Sequence, residues 1–402
     1  MTNADASHLR SLCPALANKT YFNYGGQGPL PTPALAAIMD TWQRIQEVGP
    51  FTSAMWPLLE EQSSRLRQHL ARWCGAPPHR LALTENVTMG CVHPLWGLPW
   101  RPGDEILLGD GEHDGVVAAC RELSQRFHLP LRILPVQKLR ADPQSTADGL
   151  LEALEQTLTP GTRLVVLSHL LWRTGQVMPI ASVAERLAAH PNRPWLLVDA
   201  AQSFGSLPLA PHAASADIYA FTGHKWACGP EGLGGVLLSE RLLEDSRPTL
   251  IGWRTLKSED AAADGFHRDG RRFEVATSCT PLLSGLHISM DLLDAVGSAE
   301  ERLLLLRQHS EALWIGLQGV PGCRPLLEVS PPAGLVSFQL HRPDGSLIEP
   351  DHVVRSLGQQ GIWLRTLRDP DCLRACTHVT TTSEDLEHLL EALRQIVREN
   401  GC

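Results

Sequence analysis

Trp195-Leu196-Leu197-Val198-Asp199-Ala200-Ala201-Gln202, followed by Ile218-Tyr219-Ala220-Phe221-Thr222-Gly223-His224-Lys225-Trp226, decides how this 402-residue chain folds. Each run is short and apolar and breaks off at residues that carry chemistry: Asp199 and Gln202 in the first, Thr222, His224 and Lys225 in the second. Continuous apolar runs of this length read as strands buried on both faces, the mark of a parallel sheet covered by helices. Working outward, residues 104–108, 131–135, 162–168 and 235–239 read as further strands, while 115–127 and the spacing of Ile180, Val183 and Leu187 read as helices. This alternation predicts an α/β domain with a mostly parallel sheet. Ligands in open α/β sheets bind beyond the carboxyl ends of the strands, where Asp199 and Lys225 fall.

From about residue 284 the pattern changes to a long helical stretch through Leu303, Leu306 and Leu313, a strand at 335–340, a short helix, a strand at 362–365 and a closing helix. Leu386, Leu389, Leu390, Leu393 and Val397 lie on one face of that last helix. The chain therefore divides into an N-terminal arm (1–22), a large domain (23–283) and a smaller α+β C-terminal domain (284–402). Residues 258–271 are polar, glycine-containing and aperiodic, which predicts a mobile loop.

With 35 basic and 44 acidic residues, a net charge of −9 and no long basic run, the chain is not expected to bind nucleic acid or an acidic membrane. A small molecule is the expected partner. The ten cysteines are scattered and no leader pattern opens the sequence, so a cytoplasmic protein with free thiols is expected. Cys372 and Cys376 lack the further ligands of a zinc site, and no metal is expected. No apolar stretch is long enough to span a bilayer.

Asp199 at the end of an apolar strand needs a cation, hydrogen-bond donors or water. It either caps the segment that follows or meets a protonated ring nitrogen. Lys225 is either a snorkelling surface lysine or an amine that condenses with an aldehyde. Together they read as the anchor of a pyridoxal 5′-phosphate (PLP) site, with the lysine as Schiff-base partner and the carboxylate holding the pyridine nitrogen protonated. Gln202 is placed to meet the ring hydroxyl, and Thr222 and His224 to donate to the phosphate.

Val198-Asp199-Ala200-Ala201-Gln202-Ser203 with Thr222-Gly223-His224-Lys225 resembles the aminotransferase class V group of PLP enzymes, which includes cysteine desulfurases. The resemblance implies PLP fold type I, a large domain with a mostly parallel seven-stranded sheet, and an amino-acid substrate. It assigns catalytic roles to Lys225, Asp199 and His113. The histidine, in Glu112-His113-Asp114, would stack on the cofactor ring. Residues 84–90 open a helix whose start, at Val87 and Thr88, suits a phosphate. Arg272-Phe273-Glu274-Val275-Ala276-Thr277 resembles a family motif whose threonine, here Thr277, reaches the partner subunit's cofactor, so a homodimer is implied. Arg365 and Arg374 match positions that grip the substrate α-carboxylate, against surface ion pairing as the plain alternative.

Desulfurases of this family carry a nucleophilic cysteine on a loop between those arginines. Here the connection is short and holds only Cys372, which favours elimination over persulfide transfer. Residues 21–31, 168–172, 220–226 and 369–376 are similar to the family's cystine/cysteine C–S lyases, except that Arg173 stands where a smaller polar residue is expected. That arginine either changes the charge near the cofactor or faces solvent. The expected reaction is β-elimination of L-cystine or L-cysteine to pyruvate, ammonia and a persulfide or sulfide. A desulfurase, a class V aminotransferase and a non-catalytic PLP-binding protein are the alternatives. Trp172 and Trp253 either line the substrate pocket or pack.

Overall fold

In the computed structural model, which describes residues 3–258 and 265–401, the apolar runs of the first half form one sheet. After β1 (Thr20–Tyr21), which lies apart, come β2 (Leu81–Thr84), β3 (Glu105–Gly109), β4 (Leu131–Leu134), β5 (Thr162–Ser168), β6 (Trp195–Asp199), β7 (Ile218–Thr222) and β8 (Gly234–Leu238). Their order across the sheet is β2-β8-β7-β6-β5-β3-β4. Strands β7 through β4 pair in parallel, and only β8 runs against its neighbours β7 and β2. The expected mostly parallel seven-stranded sheet is present.

Side chains alternate between two cores, as the period of a strand requires. Val165, Leu167, Leu196, Val198, Tyr219 and Phe221 face one side, under helices that include Met55–Cys74 and Pro281–Val296. Leu164, Val166, Leu197, Ile218 and Ala220 face the other, under Val87–Trp96 and Asp114–Phe127. Covering both faces explains why these strands carry no polar alternation. Polar groups gather at the carboxyl ends of β3, β5, β6 and β7.

A second sheet, antiparallel, is built from β9 (Cys323–Pro325), β10 (Leu335–Leu340), β12 (Arg365–Leu367) and β13 (Cys372–Cys376), in the order β12-β13-β10-β9. The strand expected at 362–365 is divided: β11 (Ile362–Trp363) leaves the sheet and pairs in parallel with β1. The helix Ser383–Glu399 buries Leu386, Leu389, Leu390, Leu393 and Val397 as its periodicity predicts. Position 283, expected as a boundary, lies within the helix Pro281–Val296, whose Leu283, Leu286, Met290 and Leu293 belong to the large core. The next helix, Ala299–Gln318, puts Leu306 in that core and Leu313 and Leu317 in the small one. The change of core thus falls along this helix.

The first helix, Asn3–Ser11, is tied to the start of the helix Ser383–Glu399. Arg10 forms a two-pronged pair with Asp385, at 2.8 and 3.1 Å, and donates to the carbonyl of Thr380. Of the segment 258–271, residues 259–264 lie outside the described residues. Beyond them, Phe266 bridges to Leu256 and Gly270–Phe273 forms a 3₁₀ turn.

Candidate active site

Asp199 ends β6 almost fully buried and spends Oδ1 on the backbone N–H of Ala201 at 2.8 Å. The capping bond weighed from sequence therefore exists. It engages only one oxygen, and no regular helix follows in residues 200–207. Lys225 stands just past β7. Its ammonium pKa falls to about 8, mainly because burial penalises the charge, with Arg374 and Arg365 adding repulsion and Asp199 opposing. Among the described residues, no carboxylate lies within ion-pair distance of this amine. Thr222 Oγ1 and His224 Nδ1 are 2.8 Å apart, and burial followed by Lys225 lowers the imidazole pKa.

His113 caps the helix Asp114–Phe127, its Nδ1 accepting from the N–H of Gly115 at 3.2 Å. Burial lowers its pKa despite the nearby Asp199, leaving a neutral ring whose other nitrogen carries the proton. The buried Glu112 accepts from the N–H and hydroxyl of Ser168, at 2.9 and 2.7 Å, and burial lifts its pKa to about 8. At the start of Val87–Trp96, Asn86 accepts from Met89, while the N–H groups of Val87 and Thr88 are free of intrahelical bonds. They suit a phosphate.

Gln202 donates to the carbonyl of Gly25 at 2.9 Å and accepts from Trp226 Nε1 at 2.9 Å. Gly25 and Gly28 come this close because neither has a side chain. A Cβ on Gly25 would meet Arg374 Nη2 and Gln202 Oε1 at 2.8 Å, and one on Gly28 would stand 2.2 Å from the Lys225 carbonyl.

Arg365 and Arg374 face each other in the β12–β13 register. Arg365 is exposed, whereas Arg374 is 0% exposed. Arg374 donates to the carbonyl of Trp172 at 3.0 Å and to Asn23 Oδ1 at 3.5 Å, and its buried Nε has no partner. Burial lowers its pKa, and it forms no ion pair with any described residue. A buried guanidinium without a counter-charge is costly unless an anion joins it. Cys372 lies on β13, fully buried beside Leu326 and Leu367, and burial pushes its thiol up to about 11.

Arg173 does not face solvent. It is 8% exposed, pairs with Asp114 at 3.1 Å and lies 4.5 Å over the Trp172 ring, which in turn is 5.2 Å from the His113 ring. Trp253 is half exposed and meets Trp56 edge-on at 5.9 Å. Thr277 is exposed. Its motif holds the backbone together: Arg272 donates to the carbonyls of Leu243, Ser246 and His267, and Glu274 joins Arg67 to the N–H of Leu83. Asn23, Gly25, Gly28 and Trp226 also shape the site. They fall within the stretches 21–31 and 220–226 that resemble the C–S lyases, but nothing in those stretches singled them out.

A buried lysine with a depressed pKa, a buried carboxylate with a free oxygen and open helix amides fit a PLP aldehyde, ring nitrogen and phosphate in turn. Fold and site together define a fold type I PLP enzyme. The chain belongs to the Aminotransferase class-V family, whose model matches residues 21–392. It is 43% identical to the cystine C–S lyase C-DES, solved with its reaction product cysteine persulfide; the match covers 95% of this chain and 99% of that one, at a TM-score of 0.88. A C-DES variant with glycine covalently linked to the PLP cofactor gives 42% identity and a TM-score of 0.89, covering 96% of this chain and 98% of that one. Isopenicillin N epimerase of Amycolatopsis lactamdurans is 31% identical over 98% of each chain. A probable cysteine desulfurase of Methanothermobacter thermautotrophicus is 24% identical over 96% of this chain and 97% of its own.

Proposed function

We propose that this protein is a PLP-dependent C–S lyase that eliminates the β-sulfur substituent of L-cystine, and of L-cysteine second, releasing pyruvate, ammonia and a persulfide or sulfide. The observation that carries an amino-acid substrate is Arg374, a buried guanidinium without an acid, close enough to Lys225 to depress its pKa. A substrate carboxylate supplies the missing charge, with Arg365 opposite. Bound PLP supplies an aldehyde for the substrate amine and a ring that accepts the electron pair left when Cα–H breaks. Lys225, neutral in a useful fraction near pH 8, takes the Cα proton. Asp199 keeps a carboxylate at the ring nitrogen, His113 covers the ring, Gln202 meets its oxygen, and Val87, Thr88, Thr222 and His224 hold the phosphate. A persulfide is a weaker base than a thiolate and leaves more readily, which ranks cystine first.

Cys372 separates this reading from a desulfurase. A sulfur acceptor must be a reachable thiolate, and Cys372 is a buried thiol on a strand. The deciding assay incubates the holoenzyme with L-cystine and L-cysteine and measures pyruvate, alanine and the chirality of recovered substrate. Pyruvate is expected. Alanine would make the protein a desulfurase, racemised substrate without pyruvate would place it with the epimerase relatives, and a stoichiometric amine form of the cofactor would mark an aminotransferase. Bound PLP with unchanged substrate would make it a non-catalytic binder.

The working unit is a homodimer in which Thr277 reaches the partner's cofactor. Its exposed position supports this, as do the exposed Trp56 and Trp253, whose rings meet at the surface 5.9 Å apart. No helix among the described residues is long and apolar enough to cross a membrane. Nine free cysteines among those residues support a reducing, cytoplasmic setting.

A further inference from the structure

The helices Met55–Cys74 and Pro281–Val296 pack through Leu66, Leu70, Leu283, Leu286 and Met290, yet a polar cluster interrupts their seam. His69 is fully buried there, its Nδ1 lying 3.1 Å from His287 Nδ1 and 3.5 Å from Asp291 Oδ1. Its other nitrogen, Nε2, lies 2.8 Å from Asp294 Oδ2. A carboxylate oxygen accepts, so the proton sits on Nε2 and the Nδ1 lone pair faces His287 and Asp291. Asp294 is itself held by Trp73 Nε1 at 3.0 Å and Arg302 at 3.1 Å.

A histidine oriented by a carboxylate behind it is the usual arrangement of a metal ligand. One ligand atom from each of His69, His287 and Asp291 can be chosen so that all lie within 4.8 Å of one another. Metal–ligand bonds of about 2.0–2.1 Å in a tetrahedron put neighbouring ligands about 3.3 Å apart, a spacing that His69 already has to both partners at 3.1 and 3.5 Å, while His287, which meets Asp291 through Nε2 at 3.3 Å, must adjust so that one nitrogen serves the ion. Two imidazoles and a carboxylate suit zinc and its neighbours better than calcium or magnesium, which prefer oxygen. Asp291 is half exposed, which gives the ion an entry path and leaves a corner for water.

We propose that His69, His287 and Asp291 bind one divalent cation of the zinc type, with Asp294 as the positioning residue for His69, stapling the two helices together. The stapled helix also touches the lysine loop. Leu286 fills the space beside Gly223 and Gly229, and Ser289 donates to the carbonyl of Cys228 at 2.9 Å.

The test titrates chelator-treated holoenzyme with Co²⁺, following visible d–d absorption, and then displaces it with Zn²⁺ while recording the melting temperature. Expected are saturation at one equivalent per chain, no sulfur charge-transfer band, and a melting temperature raised by Zn²⁺. H287Q and D291N should abolish the d–d signal, and D294N should weaken binding by roughly 10–100-fold. D291N alters a half-exposed side chain and so separates lost binding from lost folding; retained cofactor absorbance confirms the fold. Absent d–d absorption, or a one-equivalent signal unchanged in D291N, would overturn the site and leave a histidine pair sharing a proton.

Discussion

At Lys225, the depressed pKa has a direct kinetic consequence. Only the neutral amine attacks an aldehyde, so cofactor capture by apoprotein should speed up about tenfold per pH unit on approach to about pH 8, then level off. Stopped-flow absorbance on added PLP checks this, and a rate flat from pH 6 to 9 would contradict it. On the proposed role of Arg374, Arg374→Gln would remove the charge-assisted contacts to the substrate carboxylate. At about 1.5–3 kcal/mol for such a bond, KM for the amino acid should rise roughly 10–150-fold while bound cofactor stays unchanged. Glu112 offers a stability test. Its pKa, raised by burial from 4.5 to about 8, means the folded state keeps a proton that the unfolded chain loses. Stability is therefore greatest below about pH 4.5 for this group and declines as pH rises through 8. In Glu112→Gln that part of the decline should vanish from denaturation midpoints measured across the range.

At the scale of elements, the β12–β13 connection, residues 368–371, is too short to carry a mobile nucleophile. Cys372→Ala should leave pyruvate formation within about twofold of the parent and cost only the packing of a small buried side chain, about 1 kcal/mol. A severe loss of turnover would point back to sulfur transfer. Gly28→Ala drives a methyl group into the Lys225 carbonyl, so it should cost about 1–3 kcal/mol and release PLP more readily, as read by thermal melting and cofactor absorbance. The strands that lead to Asp199 and Lys225 were readable because their apolar runs are self-contained, and the residue identities at and just past their ends are local. The division of 362–365 into two strands was not readable, because it depends on β1, whose two residues carry no period of their own. The same holds for Gly25 and Gly28, whose partners are distant in sequence. It holds too for His69 and His287, which meet only because two helices far apart in the chain pack side by side.

For the whole molecule, two cores share the helix Ala299–Gln318, and the proposed active site draws on both sheets: Asp199 ends a strand of the large one and Lys225 follows its neighbour, while Arg365 and Arg374 lie on the small one. A homodimer that completes the site should run at twice the chain mass in light scattering. Mixing a Thr277→Ala chain with a Lys225→Ala chain should then yield hybrids in which the intact lysine is served by the intact threonine. If activity in such mixtures never exceeds that of the separate variants, the subunits do not share sites.

The pairing of β1 with β11 sets a timetable for biosynthesis. β1 waits for a partner more than three hundred positions later, and Gly25 beyond it cannot settle against Arg374 before that arginine is made. Until residues 362–363 are made, the nascent protein can assemble its large sheet but must leave β1 without its strand partner. On the proposed roles of Lys225 and Arg374, competence to hold substrate would arrive abruptly, when the last strand of the small sheet emerges, and a ribosome stalled short of it would carry a polypeptide with its lysine in place and no grip on an amino acid.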